Sequence, residues 1–144
     1  MRKIGIGGDH AGFEYKQKMI SILQEEGYQV KDFGPSSDAS ADYPDFVHPL
    51  ANAVENEEID LGIAICGSGN GVCMTVNKHQ NVRGALVWNK ELAALARQHN
   101  NANIVCIPAR FIDFELASDI VKIFLTTDFE GGRHQKRVDK IACQ

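Results

Sequence analysis

Five short apolar runs alternate with longer amphipathic stretches along the whole chain, and this alternation constrains the fold more than any other feature. The apolar runs have strand length and cover residues 3–7, 28–32, 61–66, 84–87 and 104–107. The remaining stretches have helical length and cover residues 12–26, 44–56, 69–78, 89–99, 113–126 and 133–142. Because strands that are apolar on both faces and separated by helices form parallel sheets covered on both sides, the pattern predicts a doubly wound, Rossmann-like α/β sandwich. We expect three layers, a five-stranded parallel sheet and a C-terminal helix.

Length and charge narrow the class of protein further. The 144 residues fit one domain spanning 1–144, and no linker or internal repeat divides them. A formal net charge of -4 argues against nucleic acid or an anionic membrane as the main partner. No apolar run reaches the roughly 18 residues of a membrane span, and the first residues lack the pattern of a signal peptide. We therefore expect a cytoplasmic protein.

The four cysteines do not form a recognisable metal or disulfide pattern. Cys66, Cys73, Cys106 and Cys143 are separated by gaps of 7, 33 and 37 residues. These gaps match neither the short paired spacings of zinc sites nor a disulfide framework. We expect four free thiols and no zinc site among the cysteines, with Cys106 in the core because it lies inside an apolar run.

Polar residues directly follow the first predicted strand. Ligands of doubly wound sheets bind at the carboxyl ends of the strands, and there the sequence has Asp9 and His10 after two glycines. The glycines allow a ligand to approach the backbone, while Asp9 and His10 supply an acid and an imidazole. An equally simple reading is that Asp9 only caps the following helix.

A glycine-rich turn follows the third predicted strand, with the sequence CGSGNG at residues 66–71. It is not a Walker loop, and Val72 occupies the position where a dinucleotide fingerprint needs its last glycine. Its backbone N–H groups are suited to hold an anion at a helix start. Nearby N–H dipoles also favour the thiolate form of a cysteine, so Cys66 is either a reactive thiol or a buried structural one.

Basic residues cluster near the end of the fourth predicted helix and in the C-terminal segment. His99 ends the apolar stripe of its helix, so it is either a core histidine or a proton donor favoured by the helix dipole. Arg133 and Arg137 are four residues apart and share one face of a helix. Paired arginines suit the oxygens of a phosphate group, although a solvated basic face has the same pattern.

Six short motifs together resemble one family over the whole chain. They are GGDHAG at 7–12, DYP at 42–44, CGSGNG at 66–71, NK at 77–78, RQHN at 97–100 and EGGRHxxR at 130–137. In this order and spacing they resemble the type B ribose-5-phosphate isomerases and the related galactose-6-phosphate isomerase subunits. The resemblance implies a cofactor-free and metal-free aldose–ketose isomerase of the pentose phosphate pathway, interconverting ribose 5-phosphate and ribulose 5-phosphate through an enediolate.

The resemblance also implies roles for individual residues. Cys66 is the base that moves a proton between C1 and C2 of the sugar, since Val72 occupies the family's alternative base position. His99 opens the sugar ring with help from Asp9, and Ser68 holds the enediolate where many members have threonine. The remaining substrate-binding residues are His10, Tyr43, Gly67, Gly69, Asn70, Gly71, Asn100, Arg110, Arg133, His134 and Arg137. A homodimer or tetramer with active sites at the subunit interface is expected.

Other functions fit some of the same features. The substrate could be allose 6-phosphate, galactose 6-phosphate or a tetrose phosphate, because cleft depth is not visible in a sequence. Cys66 could act as a nucleophile in acyl or phosphoryl transfer. A nucleotide-binding module, or an inactive subunit that needs a different partner, completes the set of alternatives.

Overall fold

A computed structural model describes residues 2–143 and shows five strands and six α-helices in that range. The strands are β1 Lys3–Gly8, β2 Gln29–Asp32, β3 Leu61–Cys66, β4 Gly84–Leu86 and β5 Ile104–Pro108. The helices are α1 Phe13–Glu25, α2 Tyr43–Glu55, α3 Asn70–Val76, α4 Lys90–Gln98, α5 Phe114–Thr126 and α6 Gln135–Asp139. Two short 3-10 turns, His10–Gly12 and Gly132–His134, precede α1 and α6.

All five strands belong to one parallel sheet with the order β2-β1-β3-β5-β4. Strand β5, the last in the sequence, therefore lies between β3 and β4. The register pairs Gly8 with Ile65 and Cys66 with Pro108, so these strand ends meet along one edge of the sheet. The predicted five-stranded parallel sheet is confirmed.

The core consists of two apolar clusters, one on each face of the sheet. One contains Ile4, Ile6, Ile63 and Ile65 from the strands together with buried residues of α1, α4 and α5. The other contains Ala64, Cys66 and Cys106 together with buried residues of α2 and α3. Because consecutive residues of a strand point to opposite faces, the all-buried strand β3 contributes to both clusters. This confirms the three-layer sandwich.

The structure differs from the sequence prediction at the sheet edges and in the C-terminal segment. Strand β2 is mostly exposed and β4 is half-buried because each has a neighbour on one side, whereas β3 is fully buried. The predicted helix over 133–142 is shorter than expected. Gly131 and Gly132 have φ angles of 66° and 54°, which leads into a 3-10 turn, and only α6 follows as a helix.

The direction of the strands defines two edges of the sheet, which we call the carboxyl edge and the amino edge. Each crossover helix starts where a strand ends and runs back toward the start of the next strand. Helices α4 and α5 therefore end at the amino edge, while β3 ends at the carboxyl edge. Among residues 2–143, none of the helices combines the length and hydropathy that crossing a bilayer requires.

Candidate active site

A cleft of about 510 Å³ opens at the carboxyl edge of the sheet, where ligands of doubly wound folds bind. It lies above the ends of β1 and β3. The lining residues are Asp9, His10, Ala11, Tyr43, Cys66, Gly67, Ser68, Gly71, Arg110 and Phe111. Eight of these ten are predicted site residues, and Ala11 and Phe111 were missed because neither side chain carries polar chemistry.

Two glycines bring the segment after β1 into direct contact with β3. A Cβ atom on Gly8 would collide with the carbonyl oxygen of Ile65, and one on Gly12 would lie 2.5 Å from the same oxygen. The backbone N–H of Asp9 donates to this oxygen over 3.3 Å. The close approach that only glycine permits therefore places Asp9 beside the end of β3, where Cys66 is located.

Asp9 caps the 3-10 turn, as one of the two readings of the sequence predicted. Its Oδ1 accepts hydrogen bonds from the backbone N–H groups of Ala11 at 3.0 Å and Gly12 at 3.3 Å. The residue is only 8% exposed yet lines the cleft. Since both bonds use Oδ1, the second carboxylate oxygen remains available to a ligand.

The tautomer of His10 follows from its backbone contact. The backbone N–H of Ala41 donates to Nδ1 of His10 over 3.1 Å. A ring nitrogen that accepts a hydrogen bond carries no proton, so in the neutral ring the proton is on Nε2. Nε2–H is then a donor for a negatively charged group in the cleft.

Cys66 ends β3 and begins the glycine-rich turn. Its side chain is 5% exposed and lines the cleft. Gly69 has a φ angle of 76°, which turns the chain into α3, and Gly71 leaves room for the ring of Tyr43. A Cβ atom on Gly71 would lie 2.5 Å from that ring, so the glycine allows Tyr43 to reach the cleft.

The side chain of Ser68 is oriented by the same turn. Its Oγ accepts a hydrogen bond from the backbone N–H of Asn70 over 3.2 Å. Because the oxygen is the acceptor in this bond, the hydroxyl proton is free to be donated to a substrate oxygen.

Arg110 is held over the glycine-rich turn by the loop that follows β5. Its backbone N–H donates to the carbonyl of Gly67 over 3.0 Å, and that of Ala109 donates to the carbonyl of Cys66 over 2.9 Å. These bonds extend the pairing of β3 with β5 and place an exposed guanidinium at the rim of the cleft.

The other cysteines have different surroundings. All four thiols are free, as predicted, and Cys106 is completely buried in the core. Burial raises the pKa of the Cys106 thiol well above its ordinary value of 9.0, and the neighbouring Cys73 raises it further. Cys106 is therefore a structural thiol, and Cys66 is the cysteine that lines the cleft.

A second group of predicted site residues lies at the amino edge of the sheet. His99 follows the last residue of α4, and its ring stacks on that of His134 with centroids 4.3 Å apart and planes inclined by 16°. Oε1 of Glu130 lies 3.9 Å from Nε2 of His99 and 3.5 Å from Nε2 of His134. The three ligand atoms lie within 4.8 Å of one another, so these residues could hold a metal ion.

Glu130 was not predicted as a metal ligand, because the sequence prediction rested on cysteine spacings. The sequence does carry a signal, because Glu130 and His134 are four residues apart. Their approach to His99 depends on a contact that spacing does not show: the backbone N–H of Glu130 donates to the carbonyl of Gln98 over 3.1 Å.

Arg133 and Arg137 lie beside this histidine pair. Both side chains are exposed, and Nη1 of Arg137 donates to the carbonyl of Arg133 over 3.3 Å. Within residues 2–143, none of the ion pairs involves either arginine. Their positive charges are therefore available to an anionic ligand. Asn100, next to His99, is also exposed.

The two groups lie at opposite edges of the sheet within one chain. Cys66 lies at the end of β3, whereas His99 lies before the start of β5, and the two strands are paired along their length. A five-residue strand with about 3.3 Å per residue separates the edges by roughly 16 Å. One chain therefore does not bring Cys66 and His99 into contact. Gly69 and Asn70 lie near the cleft without lining it.

Comparison with known proteins relates this site to one enzyme family. The model of a family described as Ribose/Galactose Isomerase matches residues 4–141. A probable ribose-5-phosphate isomerase B of Mycoplasma genitalium is 48% identical over 96% of this chain and 92% of the relative. Ribose-5-phosphate isomerase B of Escherichia coli is 40% identical over 99% of this chain and 96% of the relative.

Solved structures show the same relationship. The crystal structure of a ribose 5-phosphate isomerase from Thermotoga maritima has a TM-score of 0.96 and 44% identity, covering 98% of this chain and 97% of that one. The Mycoplasma genitalium structure with bound ribulose-5-phosphate has a TM-score of 0.92 and 48% identity, covering 96% of this chain and 93% of that one.

Proposed function

This chain belongs to the ribose/galactose isomerase family, and on that premise we propose that it interconverts ribose 5-phosphate and ribulose 5-phosphate in an active site built from two copies of the chain. It is an aldose–ketose isomerase of the pentose phosphate pathway. A relative with 48% identity binds ribulose-5-phosphate. A cytoplasmic location remains a prediction from the sequence.

One observation carries the proposal: the cleft has a thiol at the first residue of a glycine-rich turn that begins a helix. Isomerisation requires a base to remove the proton from C2 of the aldose and return it to C1. Cys66 is the group that we assign to this role, and its thiolate takes the proton while the electron pair of the C–H bond forms the enediolate. The proton then goes back to C1 while the hydroxyl proton of O2 passes to O1, so the isomerisation balances without a cofactor.

The glycine-rich turn supplies the second requirement, which is stabilisation of negative charge on the substrate oxygens. The backbone N–H groups after Cys66 and the hydroxyl of Ser68 are donors at the position where the enediolate forms. Preorganised donors of this kind are worth roughly 3 to 4 kcal/mol each when the charge develops. Tyr43 lies against the turn and closes one side of the cleft.

Among its described residues, the cleft of one chain lacks the predicted ring-opening residue and a pair of phosphate-binding arginines. Both are present at the amino edge, as His99 together with Arg133 and Arg137. A symmetric dimer that places the amino edge of one subunit over the cleft of the other completes both sites at once. Asp9 then faces His99 of the partner subunit, and Nε2–H of His10 and Arg110 meet the phosphate from the cleft side.

Exposed apolar side chains near the cleft support association of two copies. Phe111 lines the cleft and is 76% exposed, and Met74 on α3 is 68% exposed. Large apolar side chains next to a functional cleft are typical of interaction surfaces. Burying them in a dimer would remove apolar surface from water and would keep water out of the site.

The activity is tested with purified, EDTA-treated protein and a panel of aldose phosphates that includes ribose 5-phosphate. We expect conversion of ribose 5-phosphate to the ketose without a second substrate, and more slowly or not at all with longer sugars. A chain that converts none of them contradicts the proposal.

Complementation tests the shared site. The variants Cys66→Ala and His99→Ala should each be inactive, because each removes one essential group from both sites of the dimer. Mixing them under conditions that exchange subunits restores one intact site in each mixed dimer, so about one quarter of the wild-type sites should become active. A site contained in one chain would remain inactive in every mixture.

A further inference from the structure

We propose that His99, Glu130 and His134 bind a divalent transition metal ion such as Zn²⁺, and that the bound ion inhibits the isomerase. Metal binding is inferred from the donor types of this cluster and their proximity. The inhibition rests on the proposed function, in which His99 opens the sugar ring.

The oxygen-to-nitrogen distances within the cluster are close to those of a metal site, and the three ligand atoms together lie within 4.8 Å of one another. Two ligand atoms at 2.0–2.1 Å from a tetrahedral Zn²⁺ are about 3.4 Å apart. Oε1 of Glu130 lies 3.5 Å from Nε2 of His134 and 3.9 Å from Nε2 of His99. Shifts of about 0.5 Å or less therefore bring this oxygen to bonding separation from both nitrogens.

Backbone contacts hold the three ligands together in the absence of a metal. The backbone N–H of Glu130 bonds to the residue before His99, as described above, and that of His134 donates to the carbonyl of Gly131 over 3.0 Å. The stacked rings present the same nitrogen, Nε2, to one carboxylate oxygen. Because an imidazole binds a metal in the plane of its ring, one of the two stacked rings must turn before both nitrogens reach the same ion.

The donor set suits zinc. Two imidazoles and one carboxylate are a recurring set for Zn²⁺ and leave a position open for water. The positive charges of Arg133 and Arg137 oppose a cation, and we expect micromolar rather than nanomolar affinity.

An ion at this position blocks the proposed chemistry directly. Coordination uses the lone pair of Nε2 on His99, which can then neither accept nor donate the ring-opening proton. The ion and the substrate would therefore exclude each other, and raising the substrate concentration should relieve the inhibition.

Cobalt(II) serves as a spectroscopic probe of the metal-free protein. We expect a saturable visible absorption of low-symmetry Co²⁺ that Zn²⁺ displaces. Glu130→Gln removes a ligand and should weaken Co²⁺ binding by at least about tenfold, the smallest cost typical of losing even an outer-shell partner of a metal. Glu115→Gln, an exposed change on α5, should leave binding unchanged. Equal affinity in the wild type and Glu130→Gln, or a thiolate-to-cobalt band in the near ultraviolet, would overturn the proposal.

Activity provides a second readout. With EDTA, the rate of each protein sets its own reference, and added Zn²⁺ should inhibit the wild type and spare Glu130→Gln. Equal inhibition of both proteins contradicts the inferred site. If neither protein isomerises any sugar phosphate, the proposed function fails, and the Co²⁺ titration still decides whether the metal site exists.

Discussion

The carboxyl edge and the amino edge of the sheet carry two groups of functional residues that are built in different ways. At the carboxyl edge, Cys66 and Asp9 are almost completely buried, and backbone hydrogen bonds and glycine contacts fix the segments around them. At the amino edge, Arg133 and Arg137 are exposed on a 3-10 turn and a short helix, with no carboxylate partner in residues 2–143.

The difference between the edges corresponds to a difference in chemical task. Proton abstraction needs groups fixed to a fraction of an ångström and shielded from water, which strand ends provide. Binding a phosphate needs cations that are accessible and uncompensated, which an exposed turn provides. Four experiments test whether the carboxyl edge carries out proton abstraction and the amino edge binds the phosphate.

The largest expected effect is at the carboxyl edge. Cys66→Ala should lower kcat by roughly 100- to 10,000-fold, the usual contribution of a positioned base, and should leave KM nearly unchanged because the phosphate contacts remain. Steady-state kinetics measure both constants. Cys143→Ala, which removes an exposed thiol, is the matched control. A near-normal kcat for Cys66→Ala would show that the carboxyl edge takes no part in the chemical step.

Arg137→Ala tests the amino edge. Phosphate contacts remote from C1 and C2 bind substrate and transition state alike, so KM should rise more than kcat falls. Loss of one charged hydrogen bond corresponds to a rise in KM of roughly tenfold to a hundredfold. A large fall in kcat with unchanged KM would show that this arginine acts in the chemical step instead.

A pair of glycine variants compares the packing of the edges. Gly8→Ala places a methyl group against the carbonyl oxygen of Ile65 and should destabilise the fold by about 1–3 kcal/mol. In Gly132→Ala the added methyl group meets no neighbouring atom. The expected loss of stability comes only from the φ angle of 54° and is about 1 kcal/mol. Urea unfolding measures both. Equal destabilisation would contradict the view that the carboxyl edge is the tightly packed one.

The smallest effect concerns pH. Burial, His99 and Arg133 lower the pKa of His134 in the folded protein, so the unfolded chain binds this proton more readily. Stability should therefore decrease as the pH falls through 6.5, the ordinary histidine value, toward the lowered folded-state value. The free energy of unfolding of His134→Gln should lack this part of the pH dependence. Parallel curves for the two proteins would refute the assignment.

Much of the fold followed from the sequence because the central strands are continuous apolar runs. Strand β3 was predicted at its observed boundaries, since six consecutive buried residues lie between a polar segment and a glycine-rich turn. Some helices start one residue later than predicted, because the residue predicted to start the helix acts as its N-cap. Asn89 before α4 is an example. The C-terminal helix was predicted too long because charge spacing does not show that two adjacent glycines adopt positive φ angles.

The candidate site was predictable where its residues follow strand ends. Asp9 and Cys66 were identified in this way, because the carboxyl ends of parallel strands meet at one edge. Tyr43 and Arg110 came from the family resemblance alone, since they reach the cleft from loops whose path depends on tertiary packing. The separation of His99 from Cys66 follows from helix direction, while the cluster with Glu130 depends on contacts between α4 and the turn after α5.

The position of β5 between β3 and β4 has a consequence for the chain during its synthesis. A chain growing from its N-terminus completes β3 at residue 66 and β4 at residue 86, but β4 pairs only with β5, which ends at residue 108. Any sheet formed on the ribosome before then has the apolar β3 at an open edge, the arrangement most prone to pairing with another chain. Insertion of the last-made strand thus both protects the nascent protein and supplies the neighbour that holds Cys66 in place.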